Sequence, residues 1–424
     1  HAMTLNRFNN LFLKSLPALA VAAWGAVAVV AEAGTLVIVG GGLSSTNDAV
    51  FESFIDALPN PQTDTIAVIA AASAEPVRAA ERFTEDLADF GVAPSRLVPI
   101  ALALRDDPAT PDVDESSWAG NGSSLEEAAR LEEVGGIWFT GGDQRRLSEV
   151  LLDENGQPTV MLTTMLERLA SGAVIGGTSA GAAVMSDPMI TGGDSLTALL
   201  DRGADKAGET LRLDTGLGFL DHAVVDQHFG ERARLGRLAV ALAGAPADRR
   251  LGIGIDEDTA VVVDVATAEA RVVGYGDVTV LDARSAELSS GTERFAGENL
   301  KLSVFSAGDH FSLSGPQAII DASRQRTVGN EYFSRPPRNG GGMALPPERL
   351  SRLLGTELLD NAEAEVLNRM SFDGTAGVLF QFRQTAASEG YWGRDRFGRE
   401  QYSITELEFS IIPISVKAEL PALR

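Results

Sequence analysis

Five short apolar runs, Thr35–Val39, Thr65–Ile69, Arg96–Ile100, Gly136–Thr140 and Ala173–Gly176, are separated by stretches in which apolar residues recur at helical spacing. The spacing predicts helices over Asp48–Leu58, Val77–Phe90 and Ser124–Glu133, with two more ending near Leu169. A run without a polar face must be covered on both sides. Strands that alternate with helices meet that need as a parallel sheet with helices packed on each face. The expected class is therefore α/β, built on a doubly wound, mainly parallel sheet.

Past the fifth run the pattern loosens. Asp106–Asn121 reads as a loop and Gly192–Asp214 as a polar, glycine-rich excursion. Strands are expected at Ala223–Asp226, Gly252–Val263, Arg271–Leu281 and Leu300–Leu313, with a helix over Glu231–Ala243. The later part of Gly315–Met343, rich in proline and ending in three glycines, reads as a linker. The tail has a helical stretch (Pro347–Asn368) and two strand-like runs (Gly377–Phe382 and Tyr402–Ile412). The expected organisation is a cloning remnant and signal peptide (1–33), an α/β domain (34–315), a linker (316–343) and a C-terminal α+β extension (344–424).

The start of the chain points to export. Arg7 and Lys14 precede an apolar stretch from Ser15 to Ala31, and Ala31-Glu32-Ala33 fits a small-x-small cleavage site. The chain is expected to be secreted or periplasmic, with no membrane association after cleavage. A net charge of −24 disfavours nucleic acid as a partner. With no cysteine in the chain, disulfides, thiolate metal sites and cysteine nucleophiles are excluded. Four histidines (His1, His222, His228 and His310) are too few for a histidine-rich metal site, and no metal or cofactor is expected.

The fifth run leads straight into Gly177-Thr178-Ser179-Ala180-Gly181 and an apolar helix. Gly-x-Ser-x-Gly in that setting is a nucleophile elbow, with glycines where side chains would clash. By itself the elbow suggests a hydrolase with Ser179 as nucleophile and Ala180 N–H facing the developing oxyanion. The serine needs a base. His228 lies where a strand gives way to a helix, at the edge that faces the ligand crevice. His222 starts that strand and should lie at the opposite edge. Asp256, Glu257 and Asp258 each remain able to orient the imidazole. Gly141-Gly142-Asp143-Gln144 ends the fourth run, so Gly142 can supply a second oxyanion N–H and Gln144 a substrate contact. Arg232, Arg234 and Arg237 read as a carboxylate-binding cluster at a helix start. Gly40-Gly41-Gly42 lacks the spacing of a nucleotide-binding loop and reads as a tight turn lining the crevice.

Taken together, Gly141–Gln144, Gly176–Met185, Asp226–Phe229 with its trailing arginines, and Gly254–Ala260 resemble the cyanophycinases, a serine peptidase family shared with the aspartyl dipeptidases. The resemblance runs from about Gly34 to about Val280. It implies a flavodoxin-like fold related to class I glutamine amidotransferases, with Ser179, His228 and Glu257 as the triad in that chain order. It also implies substrate contacts from Gln144, Asp226, Gln227, Arg232, Arg234 and Arg237. The partner would be cyanophycin or β-linked Asp-Arg peptides, and a homodimer is compatible with the sequence. Two other readings are an exported dipeptidase for short Asp-containing peptides and a non-catalytic polymer-binding protein.

Overall fold

The first apolar run forms β1 (Thr35–Val39). It is followed by α1 (Asp48–Asp56), β2 (Ile66–Ile69), α2 (Pro76–Asp89), β3 (Leu97–Pro99), α3 (Leu125–Ala129), β4 (Gly136–Phe139), α4 (Gln144–Leu151), α5 (Val160–Ala170), β5 (Val174–Thr178) and α6 (Ala180–Ala183). The structure, a computed structural model, describes residues 33–200, 211–289, 294–343, 349–417 and 419. The expected signal segment, apart from Ala33, lies outside the described residues, as does the middle of the Gly192–Asp214 excursion. Local chemistry sets the helix starts. Side chains of Asn47, Ser124, Asp143 and Thr159 each accept a backbone N–H from the first turn that follows, and Pro76 opens α2.

The five strands lie parallel in the order β1-β5-β4-β2-β3. Alternation along β1 shows both faces covered. Leu36 and Ile38 join Phe139, Met161 and Ala182 in one core, whereas Val37 and Val39 join Phe51, Phe54 and Trp138 in another. This is the doubly wound, flavodoxin-like α/β arrangement expected from the sequence.

Further along come β6 (Met189–Gly192), α7 (Ser195–Leu200), β7 (Arg212–Asp214), β8 (Val224–Asp226), α8 (Leu235–Gly244), β9 (Leu251–Ile255), β10 (Thr259–Asp264), β11 (Glu269–Gly274), β12 (Asp277–Asp282), β13 (Glu287–Leu288), β14 (Gly297–Ser306), β15 (His310–Ser312) and β16 (Ala318–Ile319). Here the structure corrects the expectation of single strands. Gly252–Val263, Arg271–Leu281 and Leu300–Leu313 each break in two and pass between sheets. β10, β11, β15 and β16 extend the first sheet beyond β1 as antiparallel strands, while β8, β9, β12 and β14 belong to a second sheet. The breaks fall at left-handed residues: Asp258 (φ 54°), Gly274 (φ 102°) and Gly308 (φ 93°). Asp258 pins its own break, since its carboxylate accepts the Ser44 N–H at 2.9 Å and the Asn47 side-chain N–H at 2.8 Å.

Two predicted helices also change. Ala233, at φ 49°, interrupts Glu231–Ala243, so α8 begins at Leu235 and Arg234 stands just before it. In the tail, after β17 (Gln325–Arg326), α9 (Leu350–Leu354) widens into a single π-turn (Gly355–Leu359). β18 (Val366–Asp373), β19 (Ala376–Arg383), β20 (Glu389–Arg394) and β21 (Glu400–Ser415) follow. The tail is α+β, but it is continuous with the rest of the chain. β21 pairs with β14, β19 and β20, which places the tail in the same sheet as β8 and β9. Phe380, Phe382 and Phe409 share a core with Leu238, Leu302 and Leu353. The expected linker is held as well: Arg335 and Arg338 both bind the fully buried Glu357 carboxylate, at 2.8 Å and 2.6 Å. Among the described residues no helix is long and apolar enough to cross a membrane.

Candidate active site

Ser179 follows β5 directly and precedes α6, with φ 55° and ψ −109°. Non-glycine residues rarely adopt this conformation, and holding it costs about 1–3 kcal/mol. The turn closes because its neighbours are glycines. A Cβ on Gly177 would lie 2.5 Å from the Gly181 carbonyl oxygen, and one on Gly181 would lie 2.4 Å from that of Phe139.

The Ser179 Oγ lies 2.8 Å from His228 Nε2, and His228 Nδ1 lies 2.5 Å from Glu257 Oε1. A carboxylate only accepts, so Nδ1 carries the proton and Nε2 offers its lone pair to the serine hydroxyl. The structure thus separates the three acids left open by the sequence. Asp256 turns inward, accepting the Gly230 N–H at 2.9 Å and the Asp277 N–H at 3.1 Å. Burial, then the nearby Asp277 and Glu231 charges, push its pKa up to about 8. Asp258 is engaged by Ser44 and Asn47. Only Glu257 of the three reaches the imidazole.

The constellation is drawn from two sheets. Ser179 stands at the end of β5 in the first, whereas His228 and Glu257 follow β8 and β9, parallel neighbours in the second. The site spans the gap between the carboxyl ends of both. The Gly40–Gly42 loop fills that gap and joins the parts. His228 N–H donates to the Gly40 carbonyl at 2.6 Å, Asp258 N–H to that of Gly41 at 2.8 Å, and Ser179 N–H to that of Val39 at 3.1 Å. A Cβ on Gly41, whose φ is +100°, would lie 2.3 Å from His228 Cε1. One on Gly42, whose φ is +55°, would lie 2.8 Å from the Glu257 carboxylate. The sequence marked this loop as lining the crevice. Its part in seating the imidazole and carboxylate was missed, and three successive glycines after the first strand were the available signal.

Ala180 opens α6, so its N–H is directed along the helix axis toward the serine side. The Gly141-Gly142 loop lies against Ser179: a Cβ on Gly141 would sit 3.4 Å from Ser179 Cβ and 4.0 Å from its Oγ. Among the described residues, the Ala180 and Gly142 N–H groups have no hydrogen-bond acceptor. Gln144 sits at the start of α4, as the sequence indicated. Its side-chain amide donates to the Ile190 carbonyl at 2.8 Å.

The arginine cluster departs from expectation. Arg237 grips Asp226 with two bonds, 2.8 Å and 2.6 Å, and both side chains are almost completely buried. Arg237 also donates to the Gly193 carbonyl at 2.7 Å. Arg234 binds the Gln227 backbone carbonyl and side-chain oxygen, and lies 3.5 Å from Asp226. Burial, opposed by Asp226, pulls the Arg234 pKa down to about 10. Asp226, Gln227, Arg234 and Arg237 are therefore committed to one another, because the turn at Ala233 folds the arginines back over β8. Arg232 differs: it is exposed and, among the described residues, its guanidinium has no partner. Of the other histidines, His222 precedes β8 at the end away from His228, and His310 lies on β15. Neither joins the site.

A strained serine hydrogen-bonded to a histidine–carboxylate pair, on an α/β sheet edge, defines a site of the serine-hydrolase kind. Residues 36–271, more than half of the chain, match the family model "Peptidase family S51", and the chain belongs to that family. It is similar to a cyanophycinase of Trichormus variabilis, 40% identical over 198 residues that cover 45% of this chain and 61% of that protein. It is also similar to those of Synechococcus elongatus (37% over 254 residues, 58% of this chain and 69% of that one) and Geminocystis herdmanii (32% over 260 residues, 60% and 84%). The match thus spans less than two thirds of the Trichormus relative. Among solved structures, a peptidase from an acI-B1 actinobacterium aligns with 66% of this chain and 98% of its own, at 20% identity and a TM-score of 0.43.

Proposed function

We propose that this chain is an exported serine-type peptidase that degrades cyanophycin to β-Asp-Arg dipeptides through an acyl-enzyme on Ser179. The observation that carries the reading is the unbroken Ser179–His228–Glu257 hydrogen-bond chain. The relatives named cyanophycinase support the substrate, and the charged, apolar and small-x-small segments before Gly34 support export.

His228 Nε2 takes the Ser179 proton as the Oγ attacks an Asp–Asp backbone carbonyl. The N–H groups of Ala180 and Gly142 receive the oxyanion. Collapse breaks the C–N bond, and His228 returns the proton to the departing amine. Water, deprotonated by His228, then hydrolyses the ester and frees Ser179. Glu257 holds the tautomer and offsets the imidazolium charge. Arg232, the exposed guanidinium beside the base, takes a substrate carboxylate. Gln144, next to the glycine pair, borders the scissile residue. Asp226, Gln227, Arg234 and Arg237 shape the wall from behind.

Burial holds the His228 pKa below the usual histidine value. The Glu257 hydrogen bond opposes this, and the Arg232 charge adds to it. The base is therefore neutral at neutral pH, and activity falls only as acid protonates it. Arg232→Gln removes a cation, so the acid limb of the pH–rate profile is expected to move to higher pH. Glu257→Gln is expected to move it lower. Unmoved limbs in both variants would detach these residues from the base.

Product analysis tests the substrate. Purified protein given cyanophycin is expected to release β-Asp-Arg as the dominant product. Release of free Asp from short peptides, with the polymer untouched, would assign the dipeptidase reading instead. Binding of the polymer without any cleavage would make the chain a non-catalytic binder.

A further inference from the structure

The tip of the β20–β21 hairpin, from the C-terminal tail, is latched onto two loops that flank the triad. The Arg396 guanidinium binds the Asp48 carboxylate at 3.0 Å and 2.5 Å and the Tyr275 hydroxyl at 2.9 Å. Asp48 begins α1, just past the glycine loop that seats His228. Tyr275 donates its backbone N–H at 3.0 Å to the carbonyl of Asp258, the residue after Glu257. Phe397, 58% exposed, packs edge-on to Tyr275 at 5.4 Å. Arg396 lies 4.9 Å, and Arg399 5.2 Å, from the Phe397 ring.

Behind this latch is a cavity of about 370 Å³, lined in part by Arg271, Tyr275, His310, Arg394, Arg396 and Phe397. Arg271 on β11 stands directly opposite His310 on β15, so the two side chains share one face of the sheet. Arg271 is half-buried; the Asp56 charge on α1 partly offsets the cost of its burial, but among the described residues its guanidinium has no hydrogen bond or ion pair. A guanidinium desolvated without an acceptor is costly unless a ligand supplies one. Arg394, an exposed residue that also lines the cavity, lies 5.6 Å from the Trp392 ring and spends one N–H on the Gly398 carbonyl. The acids at this cavity are already occupied. Asp395 accepts from Arg399 and two backbone N–H groups, and Asp321 from Ser323. The result is a cationic recess in a chain of net charge −24.

We propose that this recess is a second substrate subsite, which binds a free carboxylate of the polymer away from the scissile bond, namely the arginine α-carboxylate, since each aspartyl β-carboxyl is amide-bonded. It rests on the polymer reading above. Arg271 supplies the fork for the carboxylate and Arg394 the outer charge. Tyr275, at the rim of the recess, donates its N–H to the carbonyl of Asp258, the residue after Glu257, which ties the recess to the triad side of the molecule. Two weak contacts on one polymer act together and lower the KM for long substrates without altering the chemical step.

The test uses cyanophycin as probe and full-length protein carrying Ser179→Ala, so that binding is read without cleavage. Adding Arg271→Gln, or separately Arg394→Gln on the exposed wall, is expected to weaken binding at least fivefold. Unchanged affinity in both, or no binding by the Ser179→Ala protein, overturns the subsite. In the intact enzyme each substitution is expected to raise the KM for polymer about fivefold, with kcat and cleavage of a short aspartyl peptide unchanged. An equal fall in kcat on both substrates would make these residues structural and also overturn it. If the wild type does not cleave cyanophycin, the functional reading fails, while the probe-binding comparison still decides the subsite.

Discussion

Ser179→Ala is expected to lower kcat on order of 10⁴- to 10⁶-fold while leaving the fold and polymer binding intact. The size follows from what the hydroxyl does. It is the atom that forms the covalent bond, and no cysteine exists to replace it. Residual hydrolysis would come from a water deprotonated by His228, with the Ala180 and Gly142 N–H groups receiving the oxyanion. Alanine keeps the Cβ that the strained backbone at this position already accommodates, so stability should hold. A His228→Ala protein should show a comparable loss, because the groups act as a unit and their effects do not add.

The second large effect concerns stability. Asp226→Ala is expected to destabilise the fold by about 3–5 kcal/mol, since it leaves the Arg237 guanidinium buried and uncompensated. Chemical denaturation of the variant beside wild type reads this directly. Replacing both partners with apolar residues, Asp226→Leu with Arg237→Met, should recover much of the loss, because no lone charge is then left inside. If Arg237 were instead free to hold a substrate carboxylate, Asp226→Ala would leave stability nearly unchanged and Arg237→Met would act on KM alone. Arg232, exposed and without a partner among the described residues, is expected to leave stability nearly unchanged when replaced, while raising KM and shifting the acid limb as above.

These outcomes mark where the sequence could be read and where it could not. The parallel half of the first sheet was legible because each strand is a short apolar run that leads into a helical stretch, and several of the helices carry a readable cap, as at Asn47 before α1 and Asp143 before α4. Ser179 was legible because the elbow combines strand, tight turn and helix within a few residues. The second sheet was not. Gly252–Val263 is apolar on both sides of Asp256–Asp258, and local pattern cannot say that the halves belong to different sheets. A single left-handed residue at Asp258 makes that break. For the same reason the spacing left three acids open, whereas the crossover turns Asp256 inward and Glu257 toward His228.

The arginines show a different limit. Three basic residues at a predicted helix start read as a ligand cluster, but charge pattern does not reveal a buried counter-ion. Asp226 lies eleven residues before Arg237, and it is the turn at Ala233 that brings them together. The tail was recognised as α+β but not as part of the sheet bearing the base and its acid. Pairing between β14 and β21 joins residues about a hundred positions apart, and no local signal carries it.

The central claim is that Ser179 is a nucleophile activated by His228 and Glu257. Treating the protein with a serine-directed fluorophosphonate and mapping the adduct by peptide mass addresses it most directly. The account predicts one adduct, on the peptide containing Ser179, formed at least a hundredfold more slowly in His228→Ala. An adduct on a different serine, or labelling of Ser179 at the same rate without the histidine, would contradict it.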